Sequence, residues 1–156
     1  MSTIEIIRLN SNYVRMLKDF FQEINSPEYT DFFSPHPFNE EYAERICHHR
    51  GRDLYYAILK NGADIVGYGM LRGWDEGYEI PSIGLCISRR YQRSGLGKML
   101  LEFLEAVVKF MGGVQVMLKV KKNNAVALRL YKQAKYTFKE HDEDSWVGFK
   151  NLRPKS

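Results

Sequence analysis

Cysteine is scarce in this sequence: only Cys47 and Cys86 occur, far apart along the chain. That spacing excludes a disulfide framework. It also leaves no zinc site, because the run Cys47-His48-His49 on a helix converges poorly on a metal; no metal is expected. Long apolar runs are missing too. No stretch approaches membrane-spanning length, and the N-terminal segment lacks a basic region followed by an apolar core, so the protein reads as cytoplasmic without membrane attachment. Repeats, low-complexity tracts and linkers are absent, and residues 1–156 are read as a single domain. Charge of one sign is not concentrated either. A net charge of +4 is too small and dispersed for the basic stripe of a nucleic-acid binder, though it suits a phosphorylated small partner.

What is present is globular. Hydrophobic residues at 44% and charged residues at 27% exclude disorder, and ten Tyr with nine Phe suit a sheet packed on helices or a cleft with apolar walls. Alternation at Ile4 and Ile6 predicts a short strand reaching Leu9. Asn10 or Ser11 caps a helix whose apolar positions Tyr13, Leu17, Phe20, Phe21 and Ile24 recur at helical spacing until Ser26-Pro27 ends it. Residues 29–38, with Pro35 and Pro37 among aromatics, read as an ordered loop. Asn39 caps a second helix running to about Arg50, where Gly51 stops it. Strands follow over 53–60 and 64–71, joined by the two-residue turn Asn61-Gly62, and a third spans 78–88. A helix over 95–111 carries Leu96, Met99, Leu100, Phe103, Leu104, Val107 and Val108 on one broad face and ends at Gly112-Gly113. A strand over 114–120, a helix over 124–134, and strands over 136–140 and 146–150 complete an α/β domain with helices on both faces of one sheet.

The segment Gln92-Arg93-Ser94-Gly95-Leu96-Gly97-Lys98 separates a strand from the long amphipathic helix. Glycines let a ligand approach the backbone closely, and the helix N-terminus adds partial positive charge that favours phosphate. Arg89, Arg90, Arg93 and Lys98 crowd the same place. A Walker loop is excluded, since position 92 is Gln and Met99 stands where Ser or Thr is required. A dinucleotide fingerprint needs a third Gly where Leu100 stands. The pattern that remains is QxxGxG, which alone would equally describe a tight turn.

Further on, Asn124 and Tyr131 are seven residues apart and share a helix face two turns apart. An amide near a helix start can bond a polar ligand chain, and a phenol on the same face can give a proton to a group held between strands. Alone, the pair would also describe an Asn cap and a core Tyr. Together and in this order, with a strand between them, the two segments resemble the GNAT superfamily of N-acetyltransferases, with its QxxGxG loop and NxxAxxLY helix. The resemblance implies a GNAT-like mixed, mostly antiparallel sheet, splayed open between the strand ending at Ser88 and the strand over 114–120. It implies acetyl-CoA as co-substrate, its pantetheine arm lying in that opening. Leu85, Cys86 and Ile87 would then offer backbone groups to the pantetheine amides. Arg93, Ser94, Gly95, Leu96, Gly97 and Lys98 would cradle the pyrophosphate, Asn124 would bond the pantetheine, and Tyr131 would stand near the sulfur as general acid. One departure is visible. The family often carries Gly-Phe after LYxxx, whereas this chain has Lys135-Tyr136, so the helix end is expected to close differently.

The implied reaction moves acetyl onto a primary amine. An alkylammonium has a pKa of about 10, so a base, or a water chain to bulk, must free the attacking amine. Glu79 is the candidate, placed by even spacing on the face of Pro81, Ile83 and Leu85 at the start of the third strand of the middle run. Asp75, Glu76 and His36 are alternatives. Ribosomal-protein N-terminal acetyltransferases also resemble this chain, but they carry Glu where Lys119 stands. In this fold the 29–38 loop and the 74–78 turn would flank the acceptor cleft, and aromatics with carboxylates suit a ring-bearing amine such as an amino sugar. The expected partner is therefore a small-molecule amine, with neither nucleic acid nor membrane, and a homodimer is allowed for. A protein or peptide amine, or a non-catalytic acyl-CoA-binding module, are the other readings; Tyr131 argues against the last.

Overall fold

The computed structural model describes residues 1–153; the last three residues of the expected domain lie outside that range. In chain order the elements are β1 (Ile4–Arg8), α1 (Val14–Ile24), α2 (Pro27–Thr30), α3 (Glu40–Cys47), β2 (Leu54–Lys60), β3 (Asp64–Arg72), β4 (Ser82–Ile87), α4 (Leu96–Phe110), β5 (Gln115–Lys121), α5 (Ala125–Gln133), β6 (Thr137–Glu140) and β7 (Ser145–Asn151). The strands form one sheet in the order β1-β2-β3-β4-β5-β7-β6. Every neighbouring pair is antiparallel except β4–β5, which is parallel. This is the mixed, mostly antiparallel α/β sheet that the sequence led us to expect.

Two apolar clusters cover the two faces. One gathers α4 and Tyr131 of α5 on Val116, Leu118 and Val120 of β5. The other packs α1 and α3 on Ala57, Tyr68, Met70 and Cys86. Alternation in the strands decides which side chain joins which cluster. Close packing of α4 on β3 depends on Gly69, where a Cβ would stand 3.1 Å from Leu100 Cδ2 and 3.2 Å from Leu104 Cδ1. The β2–β3 turn forms at the expected residues: Asn61 and Gly62 take φ of 55° and 67°, and the Ala63 N–H donates to Lys60 O at 3.1 Å. Lys60 pairs with Asp64, however, so Ala63 is an extra residue in what was expected to be a two-residue connection.

Four local expectations need correction. The 29–38 segment is not wholly loop, because Pro27 occupies the first turn of α2, where its missing N–H has no helical partner to lose. The second helix stops at Cys47 rather than near Arg50, with the His48 backbone N–H returning to Glu44 O at 3.1 Å. The third strand of the middle run begins at Ser82, not Tyr78. The turn ahead of it closes on itself, with Gly77 N–H to Trp74 O at 3.1 Å and Tyr78 N–H to Gly73 O at 3.0 Å, so residues 78–81 stay outside the sheet. In α4 the buried face includes Leu101 and Glu105, while Met99, Phe103 and Val107 are only partly covered. Glu105 is tolerated there because Tyr136 Oη donates to it at 2.7 Å and Lys150 Nζ at 3.0 Å. Among the described residues, no helix is long and apolar enough to cross a membrane.

Candidate active site

The parallel pair β4–β5 touches at a single register position, Ser82 with Met117, where the Met117 N–H donates to Pro81 O at 3.1 Å. Beyond it the two strands part. Successive residues of a strand aim their N–H and C=O groups at opposite neighbours, so the β5-facing set on the rest of β4 has no strand partner. A cavity of about 910 Å³ occupies the opening. Ile83, Leu85 and Tyr131 reach it from the α4/α5 side, while Ser82, Gly84, Met117, Lys119 and Lys121 reach it from the other. Side chains of both parities line one space, so the cavity passes through the sheet. Phe32, Phe33, Ser34 and Pro35 wall it on one side, and Glu76, Tyr78 and Glu79 form part of its rim.

At the far end of β4, the segment 88–95 is anchored to α1. Glu23 Oε2 accepts from Ser88 Oγ at 2.6 Å and from Tyr29 Oη at 2.9 Å, and Tyr29 Oη in turn accepts from the Arg89 N–H at 2.9 Å. Arg89 pairs with Glu28 at 2.8 Å and Arg90 with Glu23 at 3.6 Å. Part of the basic excess near the glycine loop is thus turned toward carboxylates, leaving Arg93 and Lys98 for any ligand. Gln92 Nε2 donates to Ile87 O at 3.4 Å, so its role in the motif is to shape the turn. Sequence reasoning missed Glu23, Ser88 and Tyr29, because no spacing links positions 60 residues apart.

Gly95 caps α4 in the left-handed region at φ 88°, a conformation that suits Gly. It brings no side-chain cap, so the N–H groups of Leu96, Gly97 and Lys98 in the first turn lack intrahelical acceptors. Gly97 is different. Its backbone is not left-handed, and an added Cβ would meet Leu130 Cδ2 at 3.7 Å and Ile87 Cγ1 at 3.8 Å, ordinary contacts. Protein packing does not demand glycine at 97. A ligand seated against the backbone would, and the residues present therefore fit a pyrophosphate.

Asn124 caps α5, its Oδ1 accepting from the Ala127 N–H at 3.2 Å, which leaves its Nδ2 donors free of the cap; Asn124 is not among the residues that line the cavity. Two turns on, Tyr131 is buried yet lines the cavity. Burial, with the Cys86 thiol as a lesser contributor, raises its phenol above the ordinary value of 10.0, so it is a protonated donor at neutral pH. Of the β4 residues singled out from the sequence, Leu85 lines the cavity, Cys86 joins the α1/α3 cluster, and Ile87 packs near Gly97. Burial, then Glu23, pushes the Cys86 thiol up to about 12, which disqualifies it as a thiolate nucleophile.

The four candidate bases separate cleanly. Glu79 and Glu76 are exposed on the cavity rim, although Glu79 lies ahead of β4 rather than on it, so the strand-face argument for it does not hold. Asp75 turns away, accepting from the Arg52 N–H at 2.5 Å and lying 2.8 Å from His49 Nε2. His36 is buried. Its Nδ1 must donate to Pro37 O at 2.8 Å, so Nε2 accepts from Tyr68 Oη at 2.8 Å, and burial lowers it to about 4. His36 is a structural group.

Residues 18–136 match the model of the Acetyltransferase (GNAT) family. No curated protein matches the sequence. Among solved structures, the GNAT domain of PAT from S. lividans aligns with a TM-score of 0.81 at 15% identity, covering 95% of this chain and 90% of that one. The PaiA N-acetyltransferase from Thermoplasma acidophilum, solved in complex with coenzyme A, aligns with a TM-score of 0.78 at 18% identity over 96% and 99% of the two chains. A ribosomal-protein alanine N-acetyltransferase from Escherichia coli aligns with a TM-score of 0.72 at 18% identity over 100% and 97%.

Proposed function

Since this chain belongs to the GNAT family of acetyltransferases, we propose that it moves acetyl from acetyl-CoA to the primary amine of a small molecule by direct attack. The observation that carries this reading is the cavity through the splayed sheet, with Tyr131 on one side of the opening and the carboxylates Glu76 and Glu79 at the rim. Acetyl-CoA supplies the thioester: the amine nitrogen bonds the acetyl carbon, the C–S bond breaks, and the thiolate takes a proton. The protein's part is positioning and proton handling. The open N–H groups of the α4 first turn, with Arg93 and Lys98, hold the pyrophosphate. The unpaired edge of β4 at Leu85 and the Asn124 Nδ2 align the pantetheine. Glu79 accepts the ammonium proton, either directly or through water, and Tyr131, kept protonated by burial, donates toward the leaving sulfur. A half-open space of this size suits a drug-sized molecule, and the aromatic wall of Phe32 and Phe33 suits a ring, an amino sugar among them.

The test is an amine panel with acetyl-CoA, following release of free thiol. Tyr131→Phe keeps the ring, so the Kd for acetyl-CoA should change little while kcat falls roughly a hundredfold or more. A Phe variant turning over at the parental rate would make Tyr131 a packing residue. Binding of acetyl-CoA without thiol release from any amine would point to a non-catalytic acyl-CoA module instead.

A further inference from the structure

We propose that the acceptor amine also carries an anionic group, a carboxylate or a phosphate, held by Lys119, Lys121 and the Ser145 hydroxyl; this rests on the transferase reading and names its substrate class. Register brings the three together. Lys121 lies directly opposite Ser145, and Lys119 is two residues along β5 on the same face. Val116, Leu118 and Val120 fill the opposite face, so the lysines are on the side away from α4. Residues Lys119, Lys121 and Ser145 all line the cavity.

Their chemistry is unfinished. Other partly covered lysines have a partner: Lys18 pairs with Glu44 at 3.0 Å, Lys122 with Glu140 at 3.2 Å and Lys150 with Glu105 at 3.0 Å, and Lys60 donates to Tyr91 Oη at 2.9 Å. Lys121 is partly covered and Lys119 exposed, and among the described residues neither has a carboxylate within ion-pair distance. Asp142 senses Lys119 but lies farther off, its own pairing at 3.9 Å being with His141. Ser145 is 1% exposed and its Oγ has no hydrogen-bond partner, although buried hydroxyls ordinarily find one. Two free cations and an unsatisfied buried hydroxyl at one wall describe a receptor for a compact anion. None of residues 88–98 lines this cavity, so the subsite is separate from the glycine loop and its pyrophosphate. The rim carboxylates Glu76 and Glu79 belong to the β3–β4 connection, across the opening from β5. Carboxylates for an ammonium on one side and cations for an anion on the other select an acceptor bearing both.

The experiment uses amine pairs that differ only in an anionic group: glucosamine with glucosamine 6-phosphate, and phenethylamine with phenylalanine. Each is assayed for thiol release and titrated calorimetrically into CoA-loaded protein. The anionic member of at least one pair should show kcat/KM and affinity at least about tenfold higher than its neutral partner. Lys121→Met or Lys119→Met should remove that preference and Lys121→Arg should retain it, with circular dichroism reporting the fold of each. The preferred pair tells phosphate from carboxylate. Turnover without preference for the anionic members overturns the subsite and leaves the transferase standing. Preferential binding without thiol release supports the subsite and removes the transferase. Absence of both binding and turnover across the pairs overturns both.

Discussion

Glu79 and Asp75 stand four residues apart in one connection, yet their surroundings give them different work. Asp75 is held by the Arg52 N–H and His49, and these contacts, opposed by partial desolvation, keep its carboxyl below the usual range. Glu79 faces the cavity rim. If Glu79 is the base, Glu79→Gln should lower the rate more at pH 7 than at pH 9, because the free amine becomes abundant as pH approaches the alkylammonium pKa of about 10. A pH–rate profile parallel to that of the parent protein would assign the role to Glu76 or to water. The sequence offered four carboxyl and imidazole candidates without ranking them by environment. Removal of Asp75 and His36 required knowing which backbone groups surround them.

At the scale of elements, the ends of α4 and α5 carry the sharpest expectations. Gly97→Val places a branched side chain where α4 meets its ligand, with room for its Cβ among protein atoms. Acetyl-CoA affinity should fall by roughly tenfold or more in calorimetric titration while circular dichroism stays unchanged; unaltered affinity in a folded variant would detach the loop from the site. The end of α5 corrects an expectation. The helix was expected to close differently without Gly, but Lys135 itself adopts φ 74°. The Tyr136 N–H reaches Tyr131 O and the Lys135 N–H reaches Lys132 O, both at 3.1 Å, which is the Schellman pattern. A side chain in that conformation is strained. Lys135→Gly should therefore raise stability by about 1 kcal/mol, or roughly two to four degrees in Tm. An unchanged or lower Tm would show that Lys135 is held without strain.

For the whole molecule, His36 ties the 29–38 segment to the sheet. It lies among Phe21, Phe38, Tyr42 and Tyr68 and accepts from Tyr68, which projects from β3. Its pKa is lowered in the folded state from 6.5 to about 4, so below pH 6.5 the unfolded chain binds a proton that the native state refuses. Stability from this group is present at neutral pH and is lost as pH falls between about 6.5 and 4. It should amount to about 2 kcal/mol between pH 7.5 and 5. Urea unfolding at the two pH values measures it, and His36→Gln should flatten that difference. An equal pH dependence in the variant would mean that His36 is not the group responsible.

Apart from α2, the order of elements was legible locally, as were the Asn61-Gly62 turn, the capping by Asn39 and Asn124, and the two motif segments. Each depends on periodicity, a φ preference or a cap within a few residues, and those interactions survive the loss of everything distant. What the tertiary structure decided depends on groups far apart in sequence. Glu105 is buried because Tyr136 and Lys150 arrive from β-strand territory more than 30 residues away. Residues 78–81 leave the sheet because a turn closes on itself before β4 begins. The cavity exists because β4 and β5 pair once and then diverge, which places Tyr131, the rim carboxylates and the pair Lys121–Ser145 around one space. Backbone preferences are set by neighbours along the chain, and electrostatic environment is set by neighbours across it; only folding supplies the second kind.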